Sequence, residues 1–291
     1  MQSVIQTFIL HFLTQASRYW QLIYASRTSF IVSLAAGPLT VLLLRIVVNN
    51  HEALIPDQSA TAFPPALKVV FILTCINILL GLLFSSQEIV KSQVKYQDER
   101  LYGLNPIAYI ASKLTIKSAI AIAQSGLIAV LMLAIFKSPD ADLLPWPINL
   151  LITTTLTIIA ALSLGFLISA ASKNSEQASN FMLLTTIAQI VLSGVLFKVE
   201  GTSKVLSWFS ISRWSVAAYA IPLNLQAQES PSLGVPSIIQ ETAQASSPIS
   251  LEAYSTSWDN LWLNWSMLAI YTVIYFGVAC VLQSNISRDR L

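Results

Sequence analysis

Six runs of about 18 to 24 residues, each apolar and almost free of charged side chains, narrow what this chain can fold into more than any other feature. They fall at about 29–48, 67–84, 113–136, 148–171, 178–197 and 261–282. A helix needs about 20 apolar residues to cross a hydrocarbon core. A helix also satisfies its own backbone polar groups where no water can. Only 10% of the 291 residues are charged and 55% are hydrophobic, against roughly 25% charged in a soluble domain. The expected fold class is therefore an all-α integral membrane protein with six transmembrane helices. The net charge of +2 is spread thinly and gives no reason to expect a nucleic-acid partner.

The polar residues inside and beside the runs are ordered. Residues 1–28 carry Ser3, Thr7, His11, Thr14, Arg18 and Gln21 at helical spacing, with Ile5, Phe8, Ile9, Phe12 and Tyr19 away from them. This is an amphipathic segment that should lie in the membrane interface, not cross it. The first span contains Gly37-Pro38 and, near its end, Arg45, which is placed to snorkel to the far interface. In the second span Val70, Thr74, Asn77 and Gly81 share one face. An amide in hydrocarbon is costly, so that face should meet protein or water. The fourth span repeats small residues every four positions, Thr153, Thr157, Ala161, Gly165 and Ser169, a ladder that lets helices approach closely. The longest connection, 198–260, follows the fifth span.

Six spans bring both termini to one side. The N-terminal segment, the 85–117 region, the 172–177 turn and the tail hold ten Lys and Arg residues; the opposite loops hold five. The positive-inside rule then puts both termini and the 85–117 loop in the cytoplasm of a cell (inner) membrane, and 198–260 outside. Cys75 and Cys280 both lie within apolar runs and form no metal or disulfide pattern. The two histidines, His11 and His51, have no acidic partner at a suggestive spacing, and no span holds an acidic residue. No G-x-x-x-x-G-K-[ST] loop is present. The chain is not expected to be an enzyme or to bind a cofactor, and if ATP drives it, other residues must bind the ATP.

The segment from Glu88 to Lys113 reads E-I-V-K-S-Q-V-K-Y-Q-D-E-R-L-Y-G-L-N-P-I-A-Y-I-A-S-K. It resembles the cytoplasmic loop after the second span of ABC exporters of the G subfamily, through Glu99, Arg100, Gly103, Leu104, Tyr109 and a Lys113 read as opening the third span. A second match is S-G-V-L-F-K-V-E-G-T-S-K-V-L-S-W-F-S-I-S-R-W, Ser193 to Trp214, similar to the family's re-entrant outer segment. A third is K-N-S-E-Q-A, Lys173 to Ala178. The resemblance spans almost the whole chain and implies a permease for a separate ATPase, as in bacterial members without a fused ATP-binding domain.

The resemblance further implies that residues 1–28 form a connecting helix and that a coupling helix between spans 2 and 3 rests on the ATPase. Contact with that partner would involve Glu99, Arg100, Gly103, Leu104, Tyr109, Lys113 and Glu176. A second membrane domain, in a homodimer, would enclose the transported molecule between Asn77 and Leu80 on the second span and Leu183, Ile187 and Ile190 on the fifth. Val195 and Leu196 would form the outer gate. ATP and Mg would sit on the partner subunit. The aliphatic lining implies a lipid-like or amphipathic cargo. The alternatives are export of a polysaccharide or glycolipid, which rows of aromatics would favour, and a non-transporting membrane scaffold or sensor.

Overall fold

A computed structural model describes residues 2–55, 65–139, 143–196, 202–223 and 256–288. The loop prolines Pro56 and Pro64, the expected end of the fifth span at Phe197, and residues 224–255 of the long connection lie outside them. The described residues are helical, with no strand among them. In order they form α1 (Gln2–Ala25), α2 (Arg27–Val47), α3 (Pro65–Ser85), α4 (Glu88–Lys91), α5 (Gln93–Leu101) and α6 (Pro106–Ile135). Then follow α7 (Trp146–Ala171), α8 (Ser175–Val191), α9 (Thr202–Trp208), α10 (Ile211–Ala220), a 3-10 turn (Ile221–Leu223) and α11 (Trp258–Arg288).

Five of these helices, α2, α3, α6, α7 and α11, are long and apolar enough to cross a membrane. The fifth run behaves differently from the expectation of a helix over 178–197. Helix α8 stops at Val191 after 17 residues, about 25 Å against the roughly 30 Å of a hydrocarbon core. Gly194 takes a positive φ of 76° and the Ser193 hydroxyl turns back to the Ile190 carbonyl at 2.8 Å, so the chain leaves the helix axis there. The third run also departs from its expected limits. Asn105 accepts from the Ile107 amide at 2.9 Å and Pro106 occupies the first turn, a strong helix start. Helix α6 therefore begins at Pro106, and Lys113 lies about two turns inside it instead of opening it.

Helix α7 is the centre of the bundle, packed by α3, α6, α10 and α11. Two thirds (67%) of its apolar window is buried, against 17% of that in α2 at the periphery. The small-residue ladder explains the intimacy with α3. A Cβ on Gly81 would sit 2.5 Å from Ala161 Cβ and 2.8 Å from the Ile158 carbonyl oxygen, and one on Gly165 would meet Ser85 Oγ at 1.9 Å. Replacing Gly81 by alanine must push two helix backbones apart and is expected to cost about 1–3 kcal/mol. Gly126, with open space around it, is the control: Gly126→Ala should be neutral or stabilising by about 0.5–1 kcal/mol. Thermal unfolding of the two variants in one detergent measures the contrast.

Hydroxyls and an indole of this core are paired, which answers their cost in an apolar medium, whereas Asn77 Oδ1 is buried without a partner. Thr157 Oγ1 lies 2.7 Å from Ser215 Oγ, and Thr154 Oγ1 lies 2.6 Å from Tyr219 OH. Trp265 Nε1 donates to Thr153 Oγ1 at 3.0 Å. Helix α10 enters this core with every residue but Arg213 buried, while α9 leaves Val205, Leu206 and Trp208 exposed, and a turn at Phe209 joins the two. The turn carbonyls are satisfied by aromatic donors: Trp214 Nε1 donates to the Trp208 carbonyl at 2.9 Å, Tyr271 OH donates to the same oxygen, and Tyr275 OH donates to that of Phe209 at 3.2 Å. At the same end of the bundle, Arg45 folds back to donate to the Val48 carbonyl and to His51 Nε2. The loop end of α2 is thereby tied to α6, whose Ile135 carbonyl meets His51 Nδ1 at 2.9 Å.

Candidate functional site: an anchored elbow and an uncovered helix

Two arrangements stand out from the packing just described. The first lies at the end of the bundle that gathers α1, α4, α5 and the start of α8. After α3 the chain makes the short helices α4 and α5 and returns through an elbow into α6. The Ile89 and Val90 amides at the start of α4 donate to Ser169 Oγ of α7, at 2.9 and 3.0 Å. The last residue of the fourth-span ladder thus serves as a helix cap as well as a packing residue.

Glu88 is the hub of this end. Its carboxylate is 3.0 Å from Lys117 Nζ and 3.8 Å from Lys113 Nζ. Lys113 is only 6% exposed. It also donates to the Glu88 carbonyl at 3.2 Å and to Ser92 Oγ at 2.7 Å. Its ammonium lies 4.7 Å from the Tyr109 ring centroid and 5.4 Å from that of Tyr19, within the range of cation–π attraction. Tyr109 in turn packs on Tyr96 with centroids 4.7 Å apart and its hydroxyl is 2.7 Å from Ser92 Oγ. Tyr19 comes from α1. Burial, and then the Glu88 carboxylate beside it, push its phenol far up from the ordinary tyrosine value, so it remains neutral. Three helices, α1, α4 and α6, are thus joined by one buried, charge-assisted cluster.

The elbow itself is a Schellman motif. The Gly103 amide donates to the Arg100 carbonyl at 2.9 Å and the Leu104 amide to that of Glu99 at 3.3 Å. Gly103 has φ +87°, which glycine alone adopts without penalty. Glu99 points to α1, pairing with Arg18 at 2.9 Å and accepting from Gln15 Nε2 at 2.7 Å. Arg100 donates to the Leu104 carbonyl at 3.1 Å, and Leu104 is buried. The residues singled out from the sequence in this loop therefore hold the elbow together. What the elbow presents outward was not legible: Leu101 and Tyr102, 68% and 91% exposed, stand at its tip. Glu176, also exposed, lies in the first turn of α8, which Asn174 caps by accepting from the Gln177 amide at 2.8 Å.

The second arrangement is α8. Leu183, Leu184, Ile187 and Val191 form an exposed stripe, with Ile190 partly exposed beside it. Asn180 is exposed on this helix as well. The exposed face of α2 after its first turn, where Arg27 and Thr28 are exposed, is aliphatic by contrast, with Ile31, Val32, Leu39, Leu42 and Leu43. Asn77 and Leu80 are not on the α8 stripe. Asn77 is fully buried and donates to Tyr219 OH at 3.0 Å, while Leu80 is 4% exposed inside the core. In its second half α3 exposes Leu79 and Leu83 instead. The gate pair is split: Val195 is fully buried, and Leu196 is exposed. Gln189, which sequence reasoning passed over, fixes the end of α8 to α10 by accepting from the Ser212 amide at 3.1 Å and Ser210 Oγ at 2.9 Å. An amide inside an apolar run was its available signal.

Comparison with known proteins bears on both arrangements. Residues 10–228 match the family model described as ABC-2 type transporter, a membrane domain. The ABC transporter ATP-binding/permease protein Rv1747 of Mycobacterium tuberculosis is 24% identical over 280 residues, which cover 91% of this chain. The chain spans 30% of the length of that relative.

Proposed function

Since the chain belongs to the ABC-2 type transporter family and is a membrane permease domain of an ABC transporter, we propose that it exports a lipid-like or amphipathic molecule as one half of a dimer. ATP hydrolysis is supplied by a separate ATP-binding subunit. The absence of a phosphate-binding loop in the 291 residues supports a nucleotide site elsewhere, and the relative just described carries both ATP-binding and permease functions in its name. The elbow is the observation that carries this reading. A coupling element must be rigid, anchored to a spanning helix and able to present a surface to its driver. Helix α5 meets all of these through Gly103, Lys113 and the α1 clamp on Glu99. Its tip, Leu101 and Tyr102, is the surface that meets the ATPase, with Glu176 beside α8 as a second contact.

In this reading α1 lies in the cytoplasmic interface of the inner membrane, both termini are cytoplasmic, and α8 completes six crossings. Its short length is made up by the turn at Ser193–Leu196 and by the buried α10 beyond it. The cargo passes between the two α8 stripes. Their leucines and isoleucines suit an apolar chain, and exposed Asn180 suits a polar head. Closure of the ATP-binding subunits displaces α5, and because Glu88, Lys113 and Lys117 tie α4 to α6, that displacement moves α6 as a rigid body. Leu196, not the buried Val195, is then the gate residue that can meet its counterpart.

The test is the double substitution Leu101→Asp/Tyr102→Asp in protein purified from native membranes. Both side chains are mostly exposed, so the unfolding midpoint should stay unchanged. Recovery of a Walker-motif ATPase with the permease should fall at least about tenfold, a loss of about 1.4 kcal/mol or more. Recovery of no ATPase with the wild type under mild detergent overturns the export reading. It would leave the scaffold alternative.

A further inference from the structure

Under the C-terminal half of α1 runs a cleft that shares Glu88, Glu99, Lys113 and Lys117 with the coupling cluster and lies apart from the α8 stripe. Its main chamber, about 320 Å³, lies between α1, α2, α3 and α6 and is walled by Leu22, Ile23, Phe30, Phe84 and Ile120, with the Glu88–Lys117 pair at one end. A second chamber of about 130 Å³ shares Tyr19, Leu22 and Glu88 with the first and adds Arg18, Lys95, Glu99 and Lys113. A narrow pocket of about 20 Å³ shares Phe84, Lys117 and Ile120 and reaches Ile158 and Leu162 of α7. The three make one path, polar where it meets the loops and apolar where it enters the bundle. The main chamber alone is in the size range of small-molecule sites, about 300–1,000 Å³.

The charges along the path do not balance. Arg18, Lys95, Lys113 and Lys117 face Glu88 and Glu99, four cations against two carboxylates. Glu88 is already engaged by Lys113 and Lys117, and Glu99 by Arg18 and Gln15. Lys95 is exposed and forms no ion pair with a described residue. The apolar chamber is lined by Leu22, itself 58% exposed, near where α1 turns into α2. An anion with an apolar tail satisfies both halves; a soluble anion satisfies one.

We propose that this cleft binds one anionic phospholipid from the leaflet in contact with α1, its phosphate at Lys95 and Arg18 and one acyl chain along Ile23, Phe30, Phe84 and Ile120. The proposal rests on the membrane placement of α1 given above, though not on the ATPase or on the cargo. Bound there, the lipid would pack against both α1 and the Glu88 hub, so the anionic content of the membrane would set how firmly α1 is held to α6.

Native mass spectrometry of the purified full chain, with dioleoyl phosphatidylglycerol or dioleoyl phosphatidylcholine added, tests this. One phosphatidylglycerol per chain should be retained, on the order of tenfold more strongly than phosphatidylcholine. Ile120→Trp, which fills the chamber, should abolish that retention. Lys95→Gln, an exposed substitution that leaves the fold alone, should weaken it about fivefold, the effect of one basic residue near a lipid surface. Equal retention of the two lipids, or phosphatidylglycerol retention indifferent to Lys95→Gln, overturns the proposal. So does displacement by glycerol 3-phosphate at matching concentration, which would mark a site for the headgroup anion alone. No ATPase is present in this experiment: lipid retention without a recoverable ATPase overturns the export reading only, and the converse overturns this site only.

Discussion

Glu88→Gln is expected to lower the unfolding midpoint more than removal of any other carboxylate in the described structure. The substitution keeps the side-chain volume and removes the one carboxylate among the described residues that touches two poorly exposed ammonium groups, Lys117 at 3.0 Å and the buried Lys113 at 3.8 Å. Their side chains are 14% and 7% exposed, and that of Glu88 is 25% exposed. Breaking such a pair strands charge in a poorly solvated place, at a cost of about 3–5 kcal/mol. The ion pair of Glu52 with Lys137, at 3.2 Å but with both side chains more than 60% exposed, gives the comparison. Exposed pairs contribute about 0–1 kcal/mol, so Glu52→Gln should be nearly silent. The measurement is thermal or denaturant unfolding of both variants, and similar shifts would refute the hub. Because the penalty comes from stranded cations, Glu88→Gln/Lys117→Met should recover part of the loss.

The second large effect concerns α8. Ile187→Cys, in the middle of the exposed stripe, is expected to give a covalent dimer as the main product of mild oxidation in lipid nanodiscs. Leu43→Cys, at a similar exposure on the aliphatic face of α2 (54% against 58%), should not. The native Cys75 and Cys280, partly buried and buried, set the background. Ile187→Arg should weaken self-association at least about tenfold, since a guanidinium in a closed apolar contact costs more than about 1.4 kcal/mol. If Leu43→Cys cross-links as readily as Ile187→Cys, the stripe is not the partner face, and the path proposed for the cargo goes with it.

Membrane class and five of the six expected spans were open to reading because they depend on local quantities, run length and charge, which leave little freedom once water is absent. The buried face of α3 was equally legible: Val70, Thr74, Asn77 and Gly81 are all buried, since an amide and a glycine in an apolar helix have few other uses. The ladder on α7 was read as packing, and the contacts at Gly81 and Gly165 agree. The ends of helices were less accessible. Nothing in the apolarity of 178–197 says that the helix stops at Val191; Ser193 and Gly194 decide it by a turn. Nothing in the charge of Lys113 says that it lies inside a helix; the cap at Asn105 two turns earlier does.

What the sequence by itself determined is the periodic and the compositional: an all-α membrane chain, a polar elbow between its second and third apolar runs, and the residue types that build that elbow. What only the tertiary structure decided is direction. Glu99 and Arg100 turn inward to hold the elbow while Leu101 and Tyr102 face out, and Asn77 turns to Tyr219 while Ile187 stays bare. The physical reason is that a residue's spacing fixes its face on its own helix, whereas the partner of that face is set by how separate helices pack. The union of Glu88 with Lys117, 29 positions away along the chain, exists only once α4 has been pinned to α7 by Ser169.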